Sequence, residues 1–263
     1  MSRGYQGQRD QISMKLKRSG IRRGFWVCAA LIGLAPIMAN AQFAFTMTGL
    51  GGPGPYALTI IGYTGSGGNV VIPKATNGYA VTAIGTGAFE YCSNVTGVVI
   101  PESIVTIGDS AFSGCSSLTN VTIGNSVARI GNLVFYGCSN LTSVTIPNRV
   151  ANIGSQMFLN CYRLQSVIIG NGVTTIGNEA FSHCYSLTNV LIGNGVTNIG
   201  AFAFVGCSNL TTVTLPDKIA NIRYGAFTDC SGLRACLKIL TGSNHPRRHP
   251  HPHAQQLSKS RLS

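Results

Sequence analysis

Cysteine is the side chain whose spacing in this sequence most invites chemistry. Seven of the nine cysteines stand at 92, 115, 138, 161, 184, 207 and 230, one every 23 residues. A row of thiolates could ligate a metal, form disulfides or supply a nucleophile. Structural metal sites use CxxC pairs or nearby histidine, but no CxxC pair occurs and the body of the chain holds one histidine. Disulfide frameworks mix spacings and bring cysteines face to face. Here every cysteine takes the same place in its unit, and seven is odd. The spacing therefore predicts a column of small, polarisable core residues. A bridge between neighbouring units, or between Cys230 and Cys236, stays open as the alternative.

Other catalytic groups are sparse. His183 lies between Phe181 and Cys184 at a position held elsewhere by Gly, Tyr, Asn or Asp, which predicts a solvated turn residue. The acids Glu90, Glu102, Asp109, Glu179, Asp217 and Asp229 fall in different registers and units, so no two form an evident acid/base pair. Serine and threonine abound without a base, and no phosphate loop or dinucleotide motif is present. His245, His249, His251 and His253 alternate with proline in the tail and could hold a transition metal only weakly. The expectation is a non-enzyme with no catalytic, cofactor-binding or metal-binding residue.

The elements that must carry these residues follow from the same period. Phe recurs at 89, 112, 135, 158, 181, 204 and 227, with Val95, Leu118, Leu141, Leu164, Leu187, Leu210 and Leu233 six residues after each. Seven registers without an insertion identify a repeat protein. Within a unit, Leu141, Val144 and Ile146 end on the two-residue spacing of a strand. Pro147-Asn148, Gly124-Asn125 or Gly170-Asn171 then mark the reversal. The return arm spaces apolar residues at three and four, which predicts a short helical or 3₁₀ turn or a short second strand. One unit cannot bury its own apolar face. Stacked units can, with strands pairing at about 4.8 Å into a parallel sheet. The predicted fold is an α/β repeat solenoid.

The pattern V-T-x-I-G-x-x-A-F-x-G-C-x-x-L-T-x-V-T-I-P resembles the BspA-type leucine-rich repeats of bacterial surface proteins over about residues 43–235. That resemblance implies a curved leucine-rich-repeat solenoid used for adhesion or ligand binding outside the cell. Tyr56–Pro73, with Ile-Gly-Tyr-Thr-Gly-Ser-Gly-Gly-Asn, resembles the family's amino-terminal capping hairpin, which would protect an open sheet edge. The organisation expected is a signal peptide over 1–41, a capping hairpin over 42–74, seven repeat units over 75–237, and a disordered basic His/Pro tail over 238–263.

Export is read from the first segment. Basic residues precede the apolar stretch Phe25–Met38, and Ala39-Asn40-Ala41 follows as a cleavage motif. Met14 offers an alternative start that would give a signal of ordinary length. The net charge of +12 does not indicate nucleic acid. Between 42 and 237 there are seven basic and six acidic side chains, so the basicity sits in the two ends and the folded body has no basic stripe. No stretch approaches the roughly 18 apolar residues of a membrane span.

If the solenoid binds a ligand, the outward strand positions carry it. With Leu and Val inward, two rows face out. One runs Gly97, Asn120, Ser143, Ser166, Asn189, Thr212, and the other Val99, Thr122, Thr145, Ile168, Leu191, Thr214. Their small uncharged groups around an aliphatic pair suit an extracellular protein or glycan. The expected protein is a secreted or surface monomer that binds or adheres. The rival readings are an envelope scaffold without a specific ligand and a truncated copy of a longer surface protein. After Leu233 the pattern lapses into Arg-Ala-Cys-Leu-Lys-Ile-Leu, where the reading frame could have been lost.

Overall fold

A computed structural model describes residues 42–48 and 56–233 and the backbone of Lys238–Ile239. The expected signal peptide and most of the tail lie outside these residues. Coils are numbered here by their phenylalanine, from coil one (Phe89) to coil seven (Phe227), so that coil four spans 150–172 and coil five 173–195.

One face is a parallel sheet of eight strands. In space it runs from β3 (Gly68–Val71) through β6 (Val95–Ile100), β8 (Asn120–Ile123), β10 (Ser143–Ile146), β12 (Ser166–Ile169) and β14 (Asn189–Leu191) to β16 (Thr212–Leu215) and β18 (Lys238–Ile239). Exposed and buried side chains alternate strictly in β8, β10, β12 and β16, as the two-residue repeat of a strand dictates. Pairing keeps the 23-residue register, for example Val144 with Val167 and Val167 with Val190. The last pair does not. Thr214 meets Lys238 and Leu215 meets Ile239, a step of 24, so the backbone rejoins the sheet one residue late after the sequence pattern lapses.

The return arm contains no helix or 3₁₀ segment among the described residues. Of the two forms the spacing allowed, the short strand is the one present. β7 (Thr106–Ile107), β9 (Arg129–Ile130), β11 (Asn152–Ile153), β13 (Thr175–Ile176), β15 (Asn198–Ile199) and β17 (Asn221–Ile222) are two-residue strands. Turns follow, and their hydrogen bonds explain why no helix forms. A helix would direct each N–H to the carbonyl four residues back. Instead, in coils one to six, the N–H groups at two before, at, and two after the Phe donate to the next coil: Gln156 to Asn178, Phe158 to Ala180 and Asn160 to Ser182, at 2.8–3.1 Å. The residues two before and two after the Phe have left-handed φ in every coil, from Gly87 and Tyr91 (63° and 58°) to Gly225 and Asp229 (66° and 57°). A left-handed residue twice in five breaks any helical run.

The antiparallel hairpin at the amino-terminal end is not the one expected over Tyr56–Pro73. It joins β1 (Phe43–Thr48) to β2 (Ala57–Tyr63). β2 then pairs in parallel with β5 (Tyr79–Ile84) on the return-arm side, while β3 opens the main sheet. β4 (Ala75–Thr76) pairs antiparallel with β5. The Gly-rich stretch after Tyr63 therefore carries the chain from one sheet to the other and closes no hairpin.

Inside, seven phenylalanine rings stack at centroid spacings of 4.9–5.6 Å. Tyr63 extends the column at 5.0 Å from Phe89, and Phe43 meets Phe89 edge-on at 6.2 Å, so the hairpin supplies the first rung and its cover. Each such aromatic pair contributes about 0.5–1.5 kcal/mol beyond its buried area. Beside the rings runs the thiol column. Cys115, Cys138, Cys161, Cys184, Cys207 and Cys230 are buried and unbridged, and Cys92 is half-buried. Each buried Sγ–H donates to the carbonyl of the preceding coil's Phe at 3.0–3.2 Å. A small apolar side chain that is also a weak donor meets both needs of that place. Burial pushes the Cys115 thiol up from 9.0 to about 12, and it raises Cys138 and Cys161 well above the ordinary value.

Candidate ligand-binding face

The ten outward residues predicted as a binding face are all exposed: Asn120, Thr122, Ser143, Thr145, Ser166, Ile168, Asn189, Leu191, Thr212 and Thr214. Pairing aligns them across coils, Ser143–Ser166–Asn189–Thr212 in one row and Thr145–Ile168–Leu191–Thr214 in the other. At coil one the rows close. Gly97 is buried, with room for a Cβ taken by the Asn69 and Asn120 amide oxygens at 2.5 and 2.7 Å, and Val99 is half-buried. The open face therefore begins at coil two.

Two sets of hydrogen bonds hold the face in place. Before the strands, hydroxyls of Thr119, Thr142, Thr188 and Thr211 donate to the carbonyl one coil back, at 2.9–3.4 Å. After the strands, Asn148 Oδ1 accepts from the Asn171 N–H at 2.8 Å and Asn171 Oδ1 from the Asn194 N–H at 3.0 Å. Glu102 heads this turn, accepting from the N–H groups of Asn125 (2.9 Å) and Ser126 (2.8 Å). The Asn125 N–H is the main reason its carboxyl titrates below the usual carboxylate range. In contrast, among the described residues no intramolecular hydrogen bond engages the side chains of Thr122, Ser143, Thr145, Ser166, Asn189, Thr212 or Thr214. Their donors and acceptors are open to a ligand.

Two side chains near this face were not anticipated. The residue after each cysteine is Ser in five coils but Tyr162 and Tyr185 in coils four and five. Both are exposed, and their rings stack at 5.5 Å with 7° between planes. His183, left-handed at φ 56°, packs its ring 5.6 Å from Tyr185 and over Gly206, so it is half-buried, not freely solvated. The signal was present as a Tyr pair in a column of serines. Among the described residues, no three His, Cys, Asp or Glu side chains gather as a metal site, and no helix is long and apolar enough to cross a membrane.

A parallel strand ladder, 23-residue coils and an inner column of Leu, Phe and Cys define a leucine-rich-repeat solenoid. The BspA-type leucine-rich-repeat region model matches residues 69–188 and 174–237 in six copies, and the chain belongs to that family. Among solved structures it is similar to a leucine-rich-repeat protein of T. pallidum, at 27% identity and a TM-score of 0.52, covering 66% of this chain and 90% of that one. It is also similar to a leucine-rich-repeat protein of Bacteroides capillosus, at 30% identity over 52% of this chain and 93% of that one, with a TM-score of 0.38. A leucine-rich cell surface protein of Faecalibacterium prausnitzii shares 23% identity over 77% and 82% of the two chains, with a TM-score of 0.42. No protein of curated function matches the chain.

Proposed function

We propose that this protein is an exported, non-catalytic binding scaffold that engages an extracellular protein or glycan through its strand face, as a monomer at or outside the cell surface. The observation that carries the reading is the set of ten exposed residues, in register from coil to coil, seven of which have polar side chains with no hydrogen bond among the described residues. Signal-like residues 1–41 supply the export half of the proposal. Rigid strands suit recognition because the partner's contacts are pre-positioned and little entropy is lost on binding.

The test is an array of extracellular proteins and neutral glycans probed with the whole chain. Saturable binding to one partner, lost in an Ile168→Asp/Leu191→Asp double variant that unfolds like the parent, is the expected result. Absence of saturable binding to any arrayed ligand would favour an envelope scaffold with no specific partner.

A further inference from the structure

We infer that the ligand of this face is a short apolar segment of another protein, and that it docks on coils four and five alone. This deepens the binding-scaffold reading and rests on it. In a solenoid whose surface repeats, residues that depart from the repeat without serving the core mark a site. At exposed strand-side positions the larger departures fall in these two adjacent coils. Tyr162 and Tyr185 replace the serine of other coils, Gln165 replaces a threonine, and Ile168 and Leu191 replace the Thr122, Thr145 and Thr214 of the same row. Ile168 is 47% exposed and Leu191 57%, so none of this helps bury the core.

The strip has tyrosines at one margin, the aliphatic pair at the other, and Gln165, Ser166 and Asn189 exposed between them. Six residues of extended chain separate the margins by at most about 20 Å, and two coils with their side chains span roughly 10 Å. That is far below the roughly 800 Å² per partner of a stable dimer. It is enough for a few residues with two or three anchors, so a second copy of this chain is not the occupant.

The chemistry separates protein from glycan. Stacking at 5.5 Å takes one face of each of Tyr162 and Tyr185, which leaves a pyranose only the outer faces of the pair. Its hydroxyls would also lie against Ile168 and Leu191 unsatisfied, which is costly. An aliphatic or aromatic peptide side chain meets neither obstacle, and tyrosine with aliphatic anchors is the composition of a protein contact. The one charged side chain on the strand side of these coils is Arg163, so a strongly basic segment is excluded.

The experiment displays a random twelve-residue peptide library against the whole chain. It then compares the parent with Tyr162→Ser/Tyr185→Ser, with Ile168→Thr/Leu191→Thr, and with the fourfold variant. Each substitution restores the residue used by other coils, so folding is preserved, and circular dichroism checks it. The expected result is enrichment of uncharged or mildly acidic apolar peptides, with affinity at least tenfold weaker in each double variant and lost in the fourfold one. Selected peptides that bind the fourfold variant as tightly as the parent would overturn the inference. So would neutral glycans that bind the parent and lose affinity in Tyr162→Ser/Tyr185→Ser, or a parent dimer in sedimentation that the fourfold variant dissolves. The first two outcomes leave the broader scaffold reading standing and the third removes only its monomeric state; failure of the ligand array removes the reading itself.

Discussion

Replacing Gly206 with alanine probes a contact that the left-handed column creates between coils five and six. Gly206 has φ of 73°, and a Cβ built there lies 2.8 Å from His183 Nδ1. Gly137 occupies the same place in coil three with φ of 67°, and the nearest atom to its Cβ is the Gly114 Cα at 3.9 Å. Both substitutions force a Cβ into the left-handed region, at a cost of about 1–2 kcal/mol. Only the first also displaces a ring, because the imidazole must leave its place beside Tyr185. Coupling between such contacting residues is about 1 kcal/mol. Gly206→Ala should therefore lose about 2–3 kcal/mol and Gly137→Ala about 1–2 kcal/mol. Urea unfolding followed by circular dichroism, with slopes compared, measures both. In a His183→Ala background the extra loss at Gly206 should vanish. Equal losses in the two glycine variants, or a double-mutant cycle that closes at zero, would refute the steric account.

Three further outcomes are expected. Phe158→Ala, at a fully buried ring in mid-column, should cost about 3–5 kcal/mol; Phe227→Ala, with a neighbouring ring on one described side only, should cost less in the same urea series. Gly154→Ala should cost about 1–3 kcal/mol, because its Cβ would strike the Gly131 carbonyl of the coil before; a midpoint like the parent's would show that the coils can spread. The folded Cys115 thiol titrates near 12 against 9.0 when free. Its folded pKa is raised, so its contribution to stability is complete below about pH 9 and is lost as pH rises towards 12. Urea midpoints should fall across that window and should fall less in Cys115→Ala; a flat profile in the parent would contradict the burial.

Much of this architecture could be read from spacing. The period, the inward Leu, Val and Ile, and the stacked Phe and Cys all follow from one rule, that every coil repeats the same burial. The ten outward residues were legible for the same reason, since strand alternation leaves them nowhere else to point. What escaped depends on contacts between coils. At two before the Phe, the left-handed residues include Leu133, Gln156, Glu179 and Phe202, none of which favours that conformation. The ladder of N–H groups to the next coil imposes it, so local preference carries no cue. Two after the Phe, Gly114, Gly137, Asn160, Gly206 and Asp229 do carry the cue. The three-and-four spacing of the apolar residues suits a helical turn as well as a short strand, so spacing alone does not separate the two. The hairpin lies inside the expected capping segment 42–74 but not over Tyr56–Pro73, because Gly65, Gly67 and Gly68 resemble a turn yet let the chain cross between sheets.

The one-way ladder beside the phenylalanines has an electrical consequence. In a β-sheet neighbouring peptide dipoles oppose and nearly cancel. Along this edge, by contrast, three amides per coil point their N–H groups towards the carboxyl end and their carbonyls towards the amino end, coil after coil. Their dipoles add as they do along a helix axis, yet here the axis is that of the stack and the chain runs across it. The solenoid is thus polarised like a rod magnet, its later coils electropositive and its earlier ones electronegative along this edge, although its body carries almost no net charge. Every coil added or removed by repeat duplication changes the length of that rod and leaves its sense unaltered.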